Sequence, residues 1–183
     1  TPELIEPAIT AALGRAQAAV DAIAAREVGA ANFENTLLAL ERATEELGLA
    51  WGKVTHLQSV ADSPPLREAH NAMLPRVSAF YASIPLNAAL WERLKTFANS
   101  PAARNLTGIH RRFLDETVKD FRQAGADLPP EKRTRLQALQ WRCERSHCDG
   151  RTRRFGWNQL RRHKHRRHEL RRHELRRHEH WRH

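Results

Sequence analysis

The chain has 183 residues and a mass of 21.1 kDa, enough for one domain, or one domain with an appendage, but short for two full ones. Its formal charge of +10 by itself suggests a nucleic-acid or anionic-surface partner, yet residues 1–140 carry 16 basic and 16 acidic side chains while residues 141–183 carry 15 and 5. No run approaches the roughly 18 to 20 uncharged apolar residues of a membrane span, Glu3 and Glu6 stand where a signal peptide would be basic, and two cysteines form no disulfide framework, so a soluble cytoplasmic protein is expected.

Helical periodicity dominates residues 1–140, with almost no strand-like alternation, and predicts an all-α body of about six helices. The first, over about residues 2–27, places Leu4, Ile5, Ile9, Leu13, Val20 and Ile23 in an apolar band on an Ala-rich frame, with Gly29 as a stop. A long second helix starts near Asn32 and runs to about Ala61. Its face is Phe33, Leu37, Leu40, Leu47, Trp51, Val54 and Leu57, and it is expected to be central. Ser63 and Pro64 then read as a cap and first helical residue of a third helix ending near Ala82. Pro85 and Asn87 precede a shorter helix through Leu90, Trp91, Leu94 and Phe97, which stops at Asn99, Ser100 and Pro101. A further helix over about residues 106–124 turns Ile109, Phe113, Leu114, Val118 and Phe121 inward and ends on Gly125 as the C′ residue. Pro129 and Pro130 restart the chain into a last helix from about Arg133. Short connections predict antiparallel neighbours.

Chemistry is sparse in this body. His56, His70 and His110 share no helical turn and read as structural or surface residues, because no sequence spacing brings them to one metal. Asp115, Glu116 and Asp120 could form a carboxylate cluster, but Arg111, Arg112, Lys119 and Arg122 lie three or four residues from them, so a salt-bridged solvent face is expected. Trp51 and Trp91 occupy apolar helix positions and are expected in the core. No residue is nominated as catalytic, cofactor-binding or metal-ligating.

Three collinear segments carry a family resemblance. They are Pro2-Glu-Leu-Ile-Glu-Pro-Ala8, then Trp51-Gly-Lys-Val-Thr-His-Leu-Gln-Ser-Val-Ala-Asp-Ser-Pro-Pro-Leu-Arg-Glu-Ala-His-Asn71 with Leu74-Pro75, and Asp120-Phe-Arg-Gln-Ala-Gly-Ala-Asp-Leu-Pro-Pro-Glu-Lys132. Together they resemble the N-terminal region of the oligopeptidase A and thimet-type zinc oligopeptidases. The resemblance implies a cytoplasmic metallopeptidase that cleaves short peptides inside a deep channel walled in part by this helical region. It also implies a zinc held by an HExxH helix and a further Glu several hundred residues downstream, so no catalytic residue of the family carries over to residues 1–140. On that expectation the chain is part of an enzyme, with no cofactor of its own, and inactive alone.

Residues 141–183 depart from the resemblance. The stretch from Trp141 to Trp157 shows no helical or strand period, and from Leu160 a five-residue repeat takes over: Leu160-Arg-Arg-His-Lys, His165-Arg-Arg-His-Glu, Leu170-Arg-Arg-His-Glu, Leu175-Arg-Arg-His-Glu. His168-Glu169, His173-Glu174 and His178-Glu179 mimic the start of HExxH, but the next histidine follows at five residues instead of four, about 140° around a helix. Looser metal binding by Cys143, His147, Cys148 and the repeat histidines is adventitious on this reading. A period of five also spreads Leu160, Leu170 and Leu175 around a helix, which predicts disorder or solvated helix for the tail. Three readings stay open: an out-of-frame extension from near codon 140, a basic arm binding nucleic acid non-specifically through counterion release, and a stand-alone helical interaction module. Translating the other two reading frames tests the first.

Overall fold

The computed structural model describes residues 1–145, and every regular element among them is helical: α1 (Ile5–Ala24), α2 (Ala39–Val60), α3 (Pro64–Ser83), α4 (Ala88–Asn99), α5 (Pro101–Arg104), α6 (Gly108–Gln123) and α7 (Pro130–Arg145). A π-helical segment, Phe33–Leu38, leads directly into α2, and short 3₁₀ turns sit at Pro2–Leu4, Val28–Ala30 and Ile84–Leu86. The all-α expectation therefore holds. The one-turn α5 lies where the sequence suggested only a stop. Pro101 opens it, and the Ser100 hydroxyl accepts from the Ala103 N–H at 3.2 Å. The last helix passes residue 140 and continues to Arg145. Of the residues in the metal-binding, repeat and disorder readings of the tail, Cys143 falls on the last turns of α7, and the others lie outside the described residues.

The core follows the predicted faces. In α1, Ile9, Ala12, Ala16, Val20 and Ile23 are buried at spacings of three and four, and the small Ala12 and Ala16 let α2, its main neighbour, approach closely. Across from them α2 buries Leu40, Thr44, Leu47, Trp51 and Val54. α3 lies against α1 and α7, while α4 touches α1, the 28–30 turn, the π segment and α6. Two residues assigned to the inward faces prove exposed, Leu4 and Leu57: Leu4 precedes the first turn of α1, and Leu57 lies about 100° around α2 from the centre of its buried face. Ser63 occupies the N-cap of α3 but its side chain makes no capping bond. Asn87 does cap α4, accepting from the Leu90 N–H at 3.1 Å.

The entry to α2 is held by polar contacts. Asn32 and Asn35 form a reciprocal capping box, with the Asn35 N–H donating to Asn32 Oδ1 at 2.8 Å and the Asn32 N–H to Asn35 Oδ1 at 2.9 Å. Arg93 of α4, fully buried, donates from Nη1 to the Glu27 carbonyl at 2.5 Å and from Nη2 to Asn35 Oδ1 at 2.6 Å. Arg26 reaches the Asn35 carbonyl at 3.4 Å. One guanidinium thus fixes the connection between α1 and α2 to α4.

At the end of α6, Gly125 takes φ 98°, and the Ala126 N–H reaches back to the Phe121 carbonyl at 3.0 Å, closing a Schellman turn. An added Cβ there would lie 2.9 Å from both Leu128 Cδ1 and Leu136 Cδ2. Arg133 of α7 clamps the same corner, donating to the Ala126 and Leu128 carbonyls at 3.1 and 3.0 Å. On the outside, Arg15 and Glu46 tie α1 to α2 through two contacts of 2.9 and 2.5 Å, and these bonds hold the Glu46 carboxyl below the usual carboxylate range and the Arg15 guanidinium above its own.

Three outcomes follow from these contacts. Arg93→Ala strips donors from two buried acceptors and leaves a cavity, so it should cost about 2 to 4 kcal/mol in denaturant titration; a loss below about 1 kcal/mol would show that the loop is held by other means. Gly125→Ala forces an unfavourable φ and displaces two leucine side chains, and should lower thermal stability by about 2 kcal/mol. Since the Glu46 pKa is depressed in the folded state, the contribution of the Arg15 pair is present above the unfolded-state carboxyl pKa and fades as pH falls through the folded one. NMR titration should find the Glu46 carboxyl below the usual carboxylate range, and Arg15→Ala should return it to that range.

Candidate functional site

The three body histidines do not converge. His56 lies exposed on α2. Half-buried His70 of α3 stacks on Trp51 with ring centres 4.9 Å apart and planes 13° from parallel, and its Nδ1 is 3.4 Å from Asn71 Oδ1. His110 of α6 meets Phe33 of the π segment edge-on at 4.8 Å. Histidine here works as an aromatic packing residue at two helix contacts.

The carboxylates of α6 are salt-bridged. Arg111 Nε donates to Asp115 Oδ2 and Arg112 Nε to Glu116 Oε1, each at 2.9 Å and four residues apart on the solvent side. Such pairs make the salt-bridged solvent face that the three- and four-residue spacing of opposite charges predicts. Among the described residues no three His, Cys, Asp or Glu side chains come together in a way that could hold a metal ion, so these residues do not fit the zinc site that the family resemblance implies.

Both tryptophans are core residues. Trp51 is buried between α2 and α3 under His70. Trp91 stacks on Phe121 at 5.9 Å, its indole N–H donates to Asp127 Oδ1 at 3.0 Å, and Arg122 lies over its face at 6.0 Å. With its edge satisfied and its faces occupied, Trp91 seals the corner between α4 and α6.

Arg93 is the residue that periodicity alone passed over. Its signal was present: it falls between Leu90 and Phe97 on the buried face of α4, where an arginine must find partners on folding. Burial, with the like charge of Arg26 nearby, lowers its pKa from the ordinary guanidinium range. It meets a carbonyl and an amide oxygen already committed to the loop, which makes it a positioning group with no reactive partner. The chemistry of the described residues is therefore that of a rigid helical surface. No helix among them is long and apolar enough to cross a membrane.

The family model for the neurolysin/thimet oligopeptidase N-terminal domain matches residues 9–133, from the first buried isoleucine of α1 to the arginine that clamps α7. The chain is 32% identical over 135 residues to oligopeptidase A of Salmonella typhimurium and 30% identical over 135 residues to that of Escherichia coli, in both cases covering 73% of this chain and 20% of the relative. A chloroplastic/mitochondrial organellar oligopeptidase A of Arabidopsis thaliana is 26% identical over 106 residues, 58% of this chain and 13% of its own length. The chain thus spans about a fifth of the length of the bacterial relatives it matches. The match runs through the whole packed body, its Asn32–Asn35 entry and its Gly125 corner included, and on it the chain belongs to the neurolysin/thimet oligopeptidase family through that family's N-terminal domain.

Proposed function

We propose that residues 1–140 act as the N-terminal helical wall of an oligopeptidase A-type zinc metallopeptidase that cleaves short peptides in the cytoplasm, and that this chain by itself does not catalyse their hydrolysis. The observation that carries the reading is the family match over residues 9–133, which falls entirely within the packed helices. Support also comes from the sequence, where no HExxH spacing occurs in the 183 residues. Zinc, where bound in such an enzyme, polarises a water and a peptide carbonyl. The part given to these helices is different: to enclose the substrate, exclude bulk water and hold shape. A second reading, a basic arm binding nucleic acid non-specifically, is favoured by one observation, the 15 basic against 5 acidic side chains of residues 141–183. It requires affinity that falls steeply with salt and is lost with those residues.

The purified chain should give no chelator-sensitive cleavage of a quenched peptide, with or without added zinc. Replacing the matched segment of Salmonella typhimurium oligopeptidase A by residues 1–139 of this chain should preserve zinc-dependent cleavage. Turnover by the chain alone would overturn the first claim, and a folded but inactive chimera the second.

A further inference from the structure

Helix α2 has apolar residues on two opposite faces. At about 100° per residue, Leu40, Thr44, Leu47, Trp51 and Val54 occupy an arc of about 80° and are all buried. Leu49, Leu57 and Val60 occupy an arc of similar width on the other side, and they are 54%, 48% and 65% exposed. Of the large hydrophobic side chains exposed among the described residues, only Leu4 and Leu139 lie elsewhere, one near each end of the body. The other outward faces differ in kind. α6 turns out paired charges, and α1 turns out Ala8, Ala11, Ala18 and Ala22. The second half of α2 is thus apolar on both sides, as in a helix between two layers, and among the described residues only one layer covers it.

We infer that this second face of α2 is the docking surface for the catalytic remainder of an oligopeptidase A-type polypeptide. The inference rests on the function proposed above and adds the place of contact. The bacterial relatives continue for four times the length matched here, since the match covers 20% of each, so in them the N-terminal helices have a large neighbour. Three half-exposed aliphatic side chains supply much less than the roughly 800 Å² per partner of a stable interface. A second copy meeting this stripe alone would be too weakly held, whereas a larger neighbour can extend the contact past its edges. The same arc also carries exposed charges: Lys53, with His56 at its edge, among the aliphatic residues, and Arg42 and Glu46 nearer the start of the helix, already paired with Glu34 and Arg15. The partner surface should therefore be apolar with carboxylates placed against Lys53 and His56.

Single cysteines at 49, 57 and 60, in a background where Cys143 and Cys148 are serine, test the inference by thiol labelling. In the full chain all three should label at the rate of Ala18→Cys on the outer face of α1. In the chimera that carries residues 1–139 within Salmonella typhimurium oligopeptidase A, labelling at 49 and 60 should slow by about tenfold or more while position 18 is unchanged. The same positions in the relative itself, placed by alignment, give a measurement that does not depend on the chimera folding, and they should be protected there too. Fast labelling at these positions in the folded relative would overturn the inference, even if the chimera cleaves peptide and the proposed function stands. So would concentration-dependent dimerisation of the full chain that Val60→Glu abolishes, because it would assign the face to a second copy.

Discussion

The fold depends on how a single buried arginine is satisfied. An ionised guanidinium away from water costs several kcal/mol unless its donors find acceptors; the two terminal nitrogens of Arg93 find theirs only if the loop after α1 presents the Glu27 carbonyl and the Asn35 side chain together, while its Nε is buried without one. Asn35 can do so because its own N–H is held by Asn32 and its amide nitrogen donates to the Ala30 carbonyl at 2.8 Å. That arrangement fixes the π segment, and the π segment fixes the rotation at which α2 enters the bundle. Every buried residue of α2, and every exposed one, has its azimuth set there. A polar group in the core thus acts as a register device, imposing one loop conformation where an apolar side chain of similar size would accept several.

Much of this architecture could be read from the sequence because it is written in local signals. The three- and four-residue spacing of Ile9, Ala12, Ala16, Val20 and Ile23, the restart of the chain at Pro130 and the terminal Gly125 each act within a few residues of where they appear. What escaped differs from residue to residue. Leu57 follows Val54 at a helical spacing of three, yet it lies about 100° around α2 from the centre of the buried face and is exposed. Ser63 is a good cap by type, and although Pro65 removes the N2 donor the Leu66 N–H at N3 remains, yet the hydroxyl makes no capping bond and only the Ser63 carbonyl enters the helix, accepting from the Arg67 N–H at 2.9 Å. Arg93 stood on an apolar face, and nothing nearby in sequence announced acceptors 58 and 66 residues away. The candidate site was legible mainly as an absence of reactive constellations, with the family resemblance supplying the rest.

Histidine placement illustrates why residue type alone misleads here. His70 and His110 both sit at contacts between helices, where an imidazole ring offers a flat apolar face and a polar edge in a smaller volume than Trp or Tyr. Stacking on Trp51 uses the face of His70, and its edge remains near Asn71. Neither geometry gathers the further ligands or orienting carboxylate that metal chemistry requires.

The charge division acquires a physical meaning under the proposed wall role. A helical body with 16 positive and 16 negative side chains in residues 1–140, many joined in short-range pairs such as Arg15–Glu46, Arg111–Asp115 and Arg112–Glu116, projects little net field beyond a Debye length. A channel bounded by such a surface neither draws in nor repels peptides by their net charge, so that selection at this wall falls to size and shape. The +10 of residues 141–183 would act oppositely, concentrating anions regardless of sequence. Under the wall role proposed above these would be opposed demands on one surface, and in this chain they fall on separate stretches, the balanced one containing the whole family match over residues 9–133.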